Sequence, residues 1–304
     1  MNRDRGFVLV NALVLVAAMA AAAVFLLSRS ETGRAQIHAA QTADQLTAYL
    51  DAFEALARQT LNRDASAAGT DHLGEGWAQD VQSVPLDRGT VRGSVHDMQG
   101  RFNLNWLTNA EDTAAKTAFD DLVQRLGVSD QTVTAILAFM EPGGQGARSA
   151  FAQLTPPIDP VGGALLHIDQ LNGMPGIDGA QLDRLRPYIT ALTGALPLNI
   201  NTASATVVRG FFPDTKPSVV NAVLAGRKLD PFPSADAFLE AIEAAQGAGL
   251  GETFDRGRFD VASDWFEMEA TAALNDHSGS RKAVMFRQSL PLGAIVTYRV
   301  STYP

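Results

Sequence analysis

Residues 7–27 read FVLVNALVLVAAMAAAAVFLL, a run without a charged side chain. A helix rises about 1.5 Å per residue, so this run reaches across a hydrocarbon layer of about 30 Å. Asn11 is the one strongly polar residue inside it. Arg3, Asp4, Arg5 and Gly6 stand in front, and Arg29, Glu31 and Arg34 stand behind. Basic residues in the short leading flank favour keeping that flank cytoplasmic, although Arg29 and Arg34 blunt the bias. A cleaved secretory signal is the alternative; it would be cut near Ala20–Ala23 and followed by a new pattern. The pattern instead continues. Ile37 is followed by Leu46, Leu50, Phe53 and Ala57, the last four at helical spacings, and no proline intervenes before Leu61. One long helix over roughly 7–61 is expected, apolar all round at first and amphipathic afterwards.

Composition limits the chemistry available to the rest. The 304 residues suffice for about two domains. With 24 basic and 33 acidic side chains the net charge is −9, which works against a nucleic-acid footprint. There is no cysteine, so disulfides, thiolate catalysis and cysteine zinc sites are excluded. His38, His72, His96, His167 and His277 stand singly, without ligand spacing. No phosphate loop and no G-x-S-x-G elbow occurs. Asp120 and Asp121 fall in a helical run, and Glu267 and Glu269 share a strand face that reads as wet rather than as an acid–base pair. The chain is read as a non-enzyme with no small-molecule substrate.

Beyond the helix the period changes twice. Residues 82–105 alternate as strands, with a turn at Asp87–Gly89 and another at Gln99–Gly100, after which Phe102 and Leu104 share a face. From Asn109 to about residue 254 the pattern is helical. Asn109, Ser129, Asp178, Thr202 and Ser234 stand as helix starts, Lys216–Pro217 as another, and Gly127, Gly226 and Gly247 as stops. Val133, Ile136, Leu137 and Met140 are the buried face of the helix after Ser129, and 141–163 is an exposed loop. Strand patterns return at 265–273, 281–290 and 295–301, with a turn at NDHSGS (275–280). The expected fold is α+β: a long amino-terminal helix packed on a small antiparallel sheet, with a large all-α domain inserted into the sheet domain. The expected divisions are a leader (1–6), the helix (7–61, membrane-spanning over 7–27), the first part of the sheet domain (62–108), the insert (109–254) and the second part (255–304).

A short charged leader ending in glycine before an apolar helix resembles the class III signal of type IV pilins and pseudopilins. The resemblance implies that prepilin peptidase cuts between Gly6 and Phe7 and that Phe7 becomes the methylated amino terminus. Most such subunits carry glutamate at the fifth mature position; here it is Asn11. A buried carboxylate needs a partner, and a neutral amide costs less when none is available. Three phrases extend the match: DMQGRFNLN (97–105), LNINTA (198–203) and SDWFEMEA (263–270). With the leader, Asn11 and the helical insertion, the chain resembles the type II secretion system protein K family, the large minor pseudopilin. That resemblance implies a single-pass inner-membrane protein with a periplasmic head. It implies a place at the pseudopilus tip, where the protein initiates fibre assembly with the I- and J-type minor pseudopilins through helices and heads. It also implies calcium in a loop of the helical domain. Here the acidic residues near that loop thin to Glu141, Asp159 and Asp169.

Two other readings stand beside this one. Leu198 to Ile242 is similar to a helix-hairpin-helix unit of membrane-anchored DNA receptors. Its hairpin, FFPDTKP, has no glycine, two prolines and an aspartate where phosphate would need N–H donors. The stretch 171–189 has Gly176, Gly179, Arg184 and Arg186, offset by Asp178 and Asp183. The other alternative is a periplasmic enzyme behind a signal peptide.

Overall fold

The structure is a computed structural model that describes residues 3–65, 69–141, 151–194, 196–251, 254–289 and 291–303; the side chains of 3–11, 81 and 82 fall outside it. Helix α1 runs Arg3–Asp64, 62 residues without a proline, about 90 Å long. Leu13, Val16 and Phe25 on its first half are about two-thirds exposed, whereas Leu46, Leu50, Phe53, Ala57 and Leu61 on its second half are buried. Strands β1 (Val81–Pro85) and β2 (Gly89–Asp97) follow as an antiparallel pair.

The insert then leaves the sheet and makes two similar units. The first contains β3 (Phe102–Asn103), α2 (Thr113–Arg125), α3 (Asp130–Met140), α4 (Gly179–Leu185) and β4 (Ile189–Thr190). The second contains β5 (Leu198–Asn199), α5 (Ala205–Gly210), α6 (Pro217–Ala225), α7 (Ala235–Gln246) and β6 (Phe259–Asp260). Each unit is closed by a two-residue parallel ladder, β3 with β4 and β5 with β6. Both share one apolar cluster, in which Phe102, Trp106, Phe119, Phe211 and Phe259 meet ring to ring.

The chain returns to the sheet as β7 (Trp265–Leu274), β8 (His277–Arg287) and β9 (Ala294–Thr302). The strand order is β1-β2-β7-β8-β9, with every neighbour antiparallel. β2 pairs with β7 along its whole length, Asp97 opposite Phe266, so the two parts of the sheet reunite across the insert. Val91, Val95, Phe266, Met268, Ala270, Ala283 and Met285 form one apolar layer with the second half of α1. At Gly93 a Cβ would stand 2.7 Å from the Phe53 ring and 2.3 Å from the Glu269 carbonyl oxygen. Only glycine lets helix and sheet approach this closely.

Several local expectations shift. Phe102 and Leu104 do not lie on the sheet; they are fully buried in the insert core, because the main strand ends at Asp97. Helix α2 is capped by Asp112, whose Oδ1 accepts from the Ala115 N–H at 2.9 Å, rather than by Asn109. Ser204, not Thr202, caps α5, because the Thr202 hydroxyl is committed elsewhere. Leu137 is exposed and Phe139 takes its place in the core, packed on Phe151 at 5.4 Å. Phe151 thereby buries part of the stretch read as an exposed loop; residues 142–150 lie outside the described residues. The β7–β8 hairpin turns over Asn275 and Asp276 alone, with Asn275 at φ 53°, so His277–Ser280 belong to β8. Asparagine tolerates that left-handed backbone, as two-residue hairpins require. Ser129, Asp178, Ser234 and Pro217 start their helices as expected.

Candidate functional site

The three phrases singled out in the sequence converge where the sheet ends and the insert begins. Asp97 closes β2, Asn199 sits in β5, Thr202 follows it, and Ser263 precedes β7. Asp97 is buried. Its Oδ2 accepts from Ser263 Oγ (2.6 Å), Thr202 Oγ1 (2.5 Å) and Asn199 Nδ2 (3.0 Å), and its Oδ1 accepts from the Gln99 N–H (2.7 Å). No ion pair reaches it among the described residues. Burial pushes its pKa up to about 6, against the donors of Ser263, Thr202 and Gln99 and with repulsion from Asp71.

A second node adjoins the first. Asp71 accepts from the Ser263 N–H (2.7 Å) and from Arg287 Nη2 (2.5 Å). Arg287 also donates to Asp64 at the end of α1 (3.0 Å) and to the Ser263 carbonyl (2.5 Å). Glu75 accepts from Trp77 Nε1 (2.6 Å) and from the His72 N–H (3.0 Å). Carboxylate oxygens of Asp64, Asp71 and Glu75 lie within 4.8 Å of one another, a spacing that could hold a divalent cation. Arg287 already stands at two of the three with a positive charge. Burial, then Glu75 and Asp71, push the Asp64 pKa up to about 7 against the pull of Arg287.

The two units of the insert are fastened by the same asparagine device. Asn103 Oδ1 accepts from the Asn105 N–H (3.1 Å), and Asn199 Oδ1 accepts from the Asn201 N–H (2.9 Å). The second asparagine of each pair grips a distant backbone from both sides. Asn105 bonds the Leu165 N–H (2.7 Å) and carbonyl (2.9 Å), and Asn201 bonds the Phe232 N–H (2.9 Å) and carbonyl (3.0 Å). The repeated apolar-Asn-apolar-Asn in FNLN and LNIN is the sequence mark of this device. Buried amides satisfied on both sides fix loops that apolar packing alone would leave free.

Beside the joint, a cleft of about 430 Å³ separates the insert from the outer face of the sheet. Six of its charged side chains pair off: Arg101 with Glu267 (2.8 Å), Arg186 with Asp169 (2.7 Å) and Lys282 with Glu269 (2.5 Å). Glu267, read as solvated, is buried, because Arg101 reaches back from the turn after β2. Burial works to raise its pKa, but Arg101, with Lys282 and His167 behind it, holds it below the usual range. The His167 ring lies against Tyr298 at 4.7 Å and bridges insert and sheet.

Gly6 and Phe7 fall on the first turns of α1, and their side chains, like that of Asn11, lie outside the described residues. Glu141 and Asp159 are exposed on either side of 142–150. Asp169 is engaged by Arg186 and by His167 (3.1 Å), and these three carboxylates form no common cluster among the described residues. In the helix-hairpin-helix-like stretches, Arg184 donates to the Gly127 carbonyl and Arg186 to Asp169 and Asp183. Both cations of the 171–189 stretch are therefore already occupied. Asp64, Asp71 and Arg287 carry no motif and were not legible as partners; only folding brings them together.

Two family models, both described as type II secretion system protein K, match residues 100–194 and 198–261, together just over half of the chain. The chain belongs to the type II secretion system protein K family. The two matched segments coincide closely with the two asparagine-fastened units. The type II secretion system protein K of Pseudomonas aeruginosa is 26% identical over 296 residues, covering 90% of this chain and 86% of that one. That of Aeromonas hydrophila is 26% identical over 321 residues, covering 94% of each. Among solved structures, the GspK-GspI-GspJ complex from enterotoxigenic Escherichia coli contains a chain of the same fold. Its TM-score is 0.72 at 20% identity, and the match covers 88% of this chain and 99% of that one.

Proposed function

We propose that this protein is the non-enzymatic minor pseudopilin at the tip of a type II secretion pseudopilus, where it starts fibre assembly and supports protein export across the outer membrane. The observation that carries this reading is α1: one helix, continuous from an apolar half to a half built into the head. Among the described residues, one helix is long and apolar enough to cross a membrane. Membership of the protein K family supplies the machine in which such a rod is used.

The finer parts follow from the family pattern. Prepilin peptidase cuts between Gly6 and Phe7, Phe7 is methylated, and the head lies in the periplasm with the helix anchored in the inner membrane. Asn11 marks a subunit with no neighbour above it, whose amide needs no opposing amine. The partners are I- and J-type minor pseudopilins, met through helices and heads. A relative of the same fold was solved as a GspK-GspI-GspJ complex. Calcium belongs to this proposal only at Glu141 and Asp159 beside 142–150, since the Asp169 carboxylate is held by Arg186. The DNA-receptor reading has no cradle in its favour: Pro213 and Asp214 stand in the hairpin where donors are required.

Mass spectrometry of the mature amino terminus from cell membranes tests the proposal. Methyl-Phe7 is expected; a chain cut near residue 23, or uncut, overturns it.

A further inference from the structure

We propose that the Asp97 node is a proton-sensitive joint that tightens the insert against the sheet as the pH falls. The geometry has three parts. The chain passes between sheet and insert at β2–β3 and β6–β7, and between the two units of the insert at β4–β5; Asp97 bonds residues flanking both sheet–insert crossings together with β5. Its partners are two hydroxyls, one side-chain amide and one backbone N–H, and none carries a charge. Among the described residues, the charged groups around it bring no compensating cation. Asp71 repels it, Arg287 is spent on Asp64, Asp71 and the Ser263 carbonyl, and Glu267 is paired with Arg101. Asp264 adds a further carboxylate, and His96 on the same strand bonds Ser94.

A buried carboxylate without a counter-ion holds its proton more tightly than a solvated one. Opening the joint would hydrate Asp97 and return it towards the ordinary carboxylate range. Protons therefore favour the closed joint, with a midpoint near pH 6. Linkage between that value and a solvated carboxylate favours closure about tenfold more at pH 5 than at pH 7.5. The two hydroxyls can turn to accept from the neutral acid, so protonation leaves the node bonded. The inference does not depend on the tip assignment.

The chain has no cysteine, so paired spin labels can be placed without background. Leu229→Cys on the α6–α7 loop (95% exposed) and Leu292→Cys on the β8–β9 turn (70% exposed) report the insert–sheet distance. In the full-length protein in detergent micelles, pulsed dipolar spectroscopy should show the distance distribution narrowing between pH 7.5 and pH 5. Asp97→Asn, a permanent mimic of the neutral acid, should give the narrow distribution at both pH values. Asp64→Asn should leave the Asp97 response in place. If Asp97→Asn does not fold, Thr202→Val removes a single donor to the ionised form and should move the midpoint upward. A wild-type distribution indifferent to pH overturns the proposal, as does a full pH response in Asp97→Asn or an unmoved midpoint in Thr202→Val.

Discussion

The two halves of α1 share one backbone, yet they meet opposite surroundings. Leu13 and Phe25 touch no other element of the head, while Leu50 and Phe53 are sealed beneath five strands. The first half is apolar on every side, so no single face could be satisfied by one sheet; it needs a surrounding apolar medium or sister helices. The second half confines its apolar residues to a stripe, and one sheet face covers it. Burial in this molecule follows the angular distribution of apolar residues, not their number.

The same substitution in each half should therefore give different results. Leu50→Ala is expected to cost the head about 4 kcal/mol, the transfer loss plus the cavity. Leu15→Ala should change the unfolding free energy of the head, read from the same denaturation curve, by less than about 0.5 kcal/mol. Equal losses would show that the halves are mechanically coupled and would break the contrast.

A smaller effect concerns how the second half is fastened by charge. Arg281, buried on β8, donates to Asp51 (2.5 Å) and Glu54 (3.2 Å) of α1. Arg281→Met should cost about 2 kcal/mol, below the roughly 3–5 usual for a buried charge left alone. The reason is that Arg299 still faces Glu54 at 3.5 Å. Chemical denaturation of Arg281→Met with and without Arg299→Met measures this difference; additive losses would deny that Arg299 compensates.

The smallest effect lies where the helix ends. Asp64 has a folded pKa of about 7, above its unfolded value. A carboxylate raised by folding favours the folded state while protonated, and that contribution is lost as the pH rises through the folded value. Stability should thus decline between about pH 5 and 8, and Asp64→Asn should remove part of that decline, leaving the share that Asp97 contributes. Thermal unfolding across that range checks it; an unchanged slope would place the titration elsewhere.

Much of this architecture was legible because it depends on short-range pattern. The 21-residue apolar run, the stripe from Leu46 to Leu61 and the caps at Ser129, Asp178 and Ser234 are periodicities and local hydrogen bonds. The site was half legible. Asp97, Asn199, Thr202 and Ser263 stood inside phrases that resembled a family, but their meeting was not written there. Thr202 was misread as a cap for that reason: threonine before a helix has two uses for its hydroxyl, and only the fold shows that Asp97 takes it. Phe102 and Leu104 followed the same logic, since a strand-like alternation does not say which of two cores will receive it.

The sequence alone determined the rod, the sheet-forming segments, the helical block and the absence of cysteine chemistry. Each of these depends on residue type and on spacing along the chain. The tertiary structure decided the pairing of Arg287 with Asp64 and Asp71, the burial of Glu267 against Arg101, and the crowding of uncompensated carboxylates at the joint. Those are properties of distance and desolvation between groups up to 223 residues apart, and a linear pattern contains neither quantity.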